Sequence, residues 1–145
     1  MRILLILDGS PEAVDEGLRL AGERGAELSA LFVRDGGWRG YTGNDWLSSS
    51  SAYVFFLEYI EGQEEDEASR ALDDFLRRAV DAGSNPRVRV VRGIVSKEVL
   101  KELGEGYDLL VMPYPFRRRG LESMRDASAY IIKNAPCSIY LVRAT

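Results

Sequence analysis

Apolar runs and amphipathic stretches alternate along most of the 145-residue chain. Residues 2–7 are almost continuously apolar, and residues 27–33, 108–112 and 138–142 are mainly so. Runs of this kind are typical of parallel strands that are buried on both faces. Residues 87–92 instead largely alternate arginine with valine, which predicts a strand with one wetter face at a sheet edge.

Amphipathic segments between these runs predict helices. The first begins where Ser10 can act as N-cap and Pro11 suits the first helical position, and it ends near Gly25. Further helices are predicted over residues 64–82, 97–103 and 121–134. Strands that alternate with helices predict a parallel sheet in an α/β fold, with right-handed crossovers.

Residues 34–62 show neither the apolar pattern of a strand nor that of a helix, and they are rich in glycine, serine and aromatic residues. A loop of this length in a compact domain is usually functional or disordered, and the aromatic content argues against simple disorder. Two interpretations stay open: residues 38–59 form a lid or a surface for a protein partner, or their rings pin the loop to the domain body. The rings concerned belong to Trp38, Tyr41, Trp46, Tyr53, Phe55 and Phe56.

Two residue types are so scarce that several kinds of active site are excluded. The chain has no histidine, which excludes serine–histidine catalysis, cysteine–histidine catalysis and histidine-ligated metals. Its one cysteine, Cys137, excludes internal disulfides, thiolate zinc sites and CxxC redox pairs. We therefore expect a cytoplasmic protein without a metal site. An enzyme is not supported, because no nucleophile–base pair is recognisable.

Size and charge limit the number of domains and the kinds of partner that the chain can have. A chain of 145 residues and 16.2 kDa predicts one domain over residues 1–145. The net charge of −4 argues against nucleic-acid binding. No apolar run approaches the roughly 20 residues of a membrane-spanning helix. The apolar run of residues 1–7 meets Asp8 too early to be the core of a signal peptide. Since the chain also has no membrane-spanning run, we expect no membrane partner.

The connection between the strand at 108–112 and the last predicted helix has an unusual composition. Residues 113–120 are Pro-Tyr-Pro-Phe-Arg-Arg-Arg-Gly. Open parallel sheets bind ligands at turns in this position. Nucleotide-binding turns usually contain several glycines, so that backbone N–H groups can close on phosphate. Here two prolines have no N–H to donate, and three arginines stand beside them.

Four segments, taken in order and spacing, resemble the universal stress protein family. They are residues 3–10, 25–28, 108–112 and 134–143. The resemblance implies a doubly wound α/β fold with five parallel strands ordered 3-2-1-4-5 and helices on both faces. It also implies a ligand crevice between the first and fourth strands, where the strand order reverses.

The resemblance further implies which residues line that crevice, and this chain departs from the ATP-binding members there. In those members the turn after the fourth strand is approximately Gly-x-x-Gly, then nine intervening residues, then Gly-Ser or Gly-Thr. Here Pro113 stands at the first glycine, Gly120 is the only glycine of the turn, and Arg125-Asp126 replace the final pair. Lost N–H donors and an added acid both oppose phosphate binding. The candidate ligand-binding residues are Asp8, Gly9, Ser10, Val33, Met112, Arg117, Arg118, Arg119, Gly120, Arg125, Asp126 and Ala127.

The arginines of this turn allow two interpretations. Arg117, Arg118, Arg119 and Arg125 can bind a phosphate or carboxylate through their side chains in place of backbone N–H groups. Alternatively they form a solvated basic loop, which we favour because charge runs on loops are commonly solvated surface.

These observations give one leading hypothesis and one alternative. The leading hypothesis is a non-catalytic stress-response or regulatory protein without a cofactor and without conventional ATP binding. The alternative is a nucleotide- or small-anion-binding protein that holds ATP or another nucleotide with Asp8 and the arginine-rich turn. The family resemblance also implies a homodimer formed through the C-terminal strand, residues 138–145, whose β-rich apolar character suits an edge that pairs.

Overall fold

The computed structural model describes residues 1–34, 47–48, 67–114 and 124–143. Most of the aromatic segment at 34–62, and residues 115–123 of the arginine-rich turn, lie outside the described residues. The interpretations of those two segments therefore stay predictions.

Strands and helices alternate through the described chain. The strands are β1 (Arg2–Ile6), β2 (Glu27–Arg34), β3 (Leu47–Ser48), β4 (Arg87–Arg92), β5 (Leu109–Tyr114) and β6 (Ser138–Arg143). The helices are α1 (Pro11–Arg24), α2 (Glu67–Asp81), α3 (Val95–Leu103) and α4 (Met124–Asn134). None of the described helices is long and apolar enough to cross a membrane.

The sheet has the order β3-β4-β2-β1-β5-β6. Its five longer strands are parallel and follow the order β4-β2-β1-β5-β6. Numbered along the chain without β3, this is the order 3-2-1-4-5, which confirms the prediction. The two-residue strand β3 was not predicted; it pairs antiparallel to β4 through Leu47 and Val88. Since β1 pairs with β2 on one side and β5 on the other, the strand order reverses at β1.

Alternate side chains of the central strands enter two separate apolar layers. Leu5 and Phe32 pack with Phe75 in the layer under α1 and α2. Leu4 and Leu31 pack in the opposite layer, which α3 and α4 cover. Because both faces are buried, the central strands carry no polar alternation, as the apolar runs predicted.

Arg2 fixes the start of β1 to the connection between α3 and β5. Its backbone N–H donates to Oδ2 of Asp108 at 2.7 Å, and the N–H of Asp108 donates to the carbonyl of Arg2 at 2.8 Å. Its Nη1 donates to the carbonyls of Glu105 at 3.1 Å and Gly106 at 2.6 Å. The guanidinium also lies 4.5 Å from the ring centroid of Tyr107. A cation thus stabilises the carbonyl end of α3.

A buried polar cluster lies beside this contact. Glu102 is only 6% exposed, and both of its carboxylate oxygens are bonded. The hydroxyl of Tyr107 donates to Oε2 at 2.8 Å, and Nη1 of Arg89 donates to Oε1 at 3.2 Å. Burial raises the pKa of Tyr107 to about 12, and its hydrogen bond to Glu102 adds to the rise. The cluster satisfies a carboxylate whose burial would otherwise be costly.

The substitution Tyr107→Phe removes the donor to Glu102 and leaves a buried oxygen without that bond. We expect the free energy of unfolding to fall by about 1–3 kcal/mol near neutral pH. Because folding raises the tyrosine pKa, the protonated hydroxyl stabilises the fold fully below pH 10, and this stabilisation is lost as the pH rises from 10 towards about 12. Urea unfolding as a function of pH should show a weaker alkaline loss in the variant. Tyr130→Phe, at an exposed tyrosine of α4, is the matched control; an equal effect of both substitutions would contradict the assignment.

Candidate functional site

A crevice is expected where the carboxyl ends of β1 and β5 diverge. The chain leaves β1 towards α1, which packs on one face of the sheet, and leaves β5 towards α4, which packs on the other. Neighbouring connections that run to opposite faces leave a gap between them. The crevice is therefore a consequence of strand order.

Asp8 and Gly9 form the β1 side of this site. Asp8 is 2% exposed, and its Oδ1 accepts a hydrogen bond from the backbone N–H of Ser10 at 2.8 Å. This is a turn in which an aspartate side chain replaces a backbone carbonyl. Gly9 has φ of 91°, a conformation that residues with a side chain rarely adopt. The acid and the glycine together turn the chain from β1 into α1.

Ser10 lies at the N-cap of α1, but its side chain does not cap the helix as the sequence predicted. Its own backbone N–H is held by Asp8, and its hydroxyl is buried without a hydrogen-bond partner. A buried polar group without a partner is uncommon in folded proteins and is normally satisfied by water or a ligand. The Ser10 hydroxyl is therefore a buried polar group at this site that has no hydrogen-bond partner.

Three of the predicted site residues belong to the apolar layer beneath the crevice. Val33 at the end of β2, Met112 in β5 and Ala127 in α4 are each at most 1% exposed and belong to one buried cluster. The structure thus brings these three together. Their side chains support the site from within the core and offer no polar group to a ligand.

The β5 side of the site differs from the predicted turn. The strand does not end at Met112 but continues through Pro113 and Tyr114, which pair in register with Val142 and Arg143 of β6. Pro113 is buried, whereas Tyr114 is 44% exposed. The first two residues assigned to the turn are therefore strand, because β6 extends far enough to pair with them.

The remaining predicted residues do not have described side chains. Arg117, Arg118, Arg119 and Gly120 lie outside the described residues, and Arg125-Asp126 are placed in the first turn of α4 by their backbone alone. The side-chain anion site that the arginines suggested stays a prediction.

Sequence reasoning missed Ser128. It follows Ala127 in α4, is 1% exposed, and its hydroxyl has no hydrogen-bond partner. A signal was present, because a serine stands among the inward positions Met124, Ala127 and Ile131 of the predicted helix. Among the described residues, no group of three His, Cys, Asp or Glu side chains is arranged to hold a metal ion.

Ser10 and Asp8 allow a direct test of which side chain organises the entry to α1. Asp8→Ala removes the acceptor of the Ser10 N–H, and we expect a loss of about 1–3 kcal/mol in the free energy of unfolding. Ser10→Ala removes a hydroxyl without a partner, so we expect no loss, in contrast to the roughly 0.5–2 kcal/mol that a capping serine contributes. Calorimetric melting of both variants measures the difference. Destabilisation by Ser10→Ala in that range would show that the hydroxyl caps α1 after all.

Comparison with known proteins agrees with this architecture. The model of the universal stress protein family matches residues 1–143. No curated protein matches the chain significantly by sequence. Among solved structures, the universal stress protein UspA from Lactobacillus plantarum is similar over 99% of this chain and 97% of its own, with 21% identity and a TM-score of 0.65.

Two further similar structures contain a nucleotide. A universal stress protein in complex with cAMP is 17% identical over 100% of this chain and 98% of its own, with a TM-score of 0.62. A universal stress protein family protein from Arabidopsis thaliana with AMP bound is 13% identical over 100% of this chain and 92% of its own, with a TM-score of 0.58. At these identities the structures show a shared fold. With the family match over residues 1–143, they establish that this chain belongs to the universal stress protein family.

Proposed function

We propose that this chain is a non-catalytic, cytoplasmic regulatory member of the universal stress protein family that does not bind ATP in the conventional way. The observation that carries the proposal is the continuation of β5 through Pro113 and Tyr114. A phosphate-binding turn needs backbone N–H groups that face the ligand. Pro113 has none, and the strand pairing with β6 commits both residues to the sheet.

Charge at the same end of the site supports the proposal. Asp126 lies in the first turn of α4, where the helix dipole would otherwise attract an anion. An acid at this position opposes the approach of a triphosphate, because like charges raise the free energy of binding.

The absence of histidine supports a non-catalytic role. The buried hydroxyls of Ser10 and Ser128 are not activated, because neither has a hydrogen-bond partner that could accept its proton. A serine nucleophile needs an adjacent base. The described part of the site therefore offers polar contacts without a group that would start a reaction.

Calorimetric titration with ATP and magnesium tests the proposal. We expect no binding up to millimolar ATP, since Pro113 has no N–H to donate to a phosphate, and no release of phosphate in a turnover assay. An ATP dissociation constant in the micromolar range would contradict the proposal. Turnover of ATP would contradict its non-catalytic part.

The nucleotide complexes among the similar structures favour a second candidate, a protein that binds a nucleotide or small anion. In this chain Asp8 and the arginine-rich turn would hold that ligand. In that case a phosphate-bearing ligand such as AMP raises the melting temperature of the parent protein. The double substitution of Arg117→Ala and Arg119→Ala then abolishes the rise. If no phosphate-bearing ligand shifts the melting temperature, this candidate is wrong.

The C-terminal strand supports a homodimer as the working form. β6 ends the sheet, and among the described strands it pairs with β5 alone, so its outer backbone groups are open to a partner strand. Tyr140 and Leu141 of this strand are 39% and 42% exposed, and Ile132 of the adjoining helix is 45% exposed. An open edge beside apolar side chains suits a second copy of the same strand.

The substitution Leu141→Glu places a charge on this edge and should weaken the dimer at least tenfold in dissociation constant. Light scattering after size exclusion should give the parent protein twice the chain mass of 16.2 kDa and the variant a lower average mass at the same concentration. Val80→Glu is the control, because Val80 is 67% exposed on α2, away from this strand. A parent protein that stays monomeric, or equal weakening by both substitutions, would contradict the β6 interface.

A further inference from the structure

No further inference is drawn: the strongest candidate, the cavity between β4 and α3 that Arg2, Arg87 and Arg89 line, carries nothing because each of these three guanidinium groups already binds a side-chain or carbonyl oxygen of the protein.

Discussion

The burial of β1 on both faces is the constraint on which the rest of the structure depends. Its side chains from Ile3 to Ile6 are at most 2% exposed, so apolar layers must cover the sheet from both sides. With β2 and β5 as its neighbours, the connections that follow β1 and β5 run to opposite faces. The two apolar layers that cover the sheet are thus a consequence of a fully apolar central strand. The expected position of the crevice follows from the order of the strands around it.

The two sides of the crevice have different backbone conformations, a tight turn after β1 and a continued strand at β5. On the β1 side, Asp8 and the positive φ of Gly9 make a tight turn that presents a buried acid and an unused serine hydroxyl. On the β5 side, Pro113 continues the strand where a flexible glycine turn would be needed for phosphate. Among the described residues of the site, the tight turn on the β1 side is present and Pro113 on the β5 side has no N–H to donate, which is why we separate family membership from ATP binding.

The amino edge of the sheet carries a polar arrangement of its own. Arg2 joins β1 to the end of α3, and Glu102 is buried with both oxygens bonded. Buried carboxylates are tolerated when hydrogen bonds replace their lost hydration, and such a network restricts the positions that its members can occupy.

The sequence by itself determined which segments form the parallel strands, which form the helices between them, and where the chain turns at Asp8-Gly9. Apolar periodicity and turn residues act over short distances, so they can be recognised along the chain. The sequence could not determine that β5 continues past Met112, because that depends on pairing with β6, about thirty residues later along the chain. It also assigned the Ser10 side chain a capping role that Asp8 makes unnecessary.

The buried hydroxyl of Ser128 and the partners of Glu102 were likewise decided by tertiary structure. Arg89, Glu102 and Tyr107 are separated along the chain, and only the packing of β4 against α3 and the residues that follow it brings them together. Local pattern specifies which face of an element is apolar, whereas the partners of a polar side chain depend on which elements become neighbours. For this protein the sequence therefore determined the strands, the helices and the turn at Asp8-Gly9, and the tertiary structure decided which polar groups around that turn and at the amino edge are already bonded.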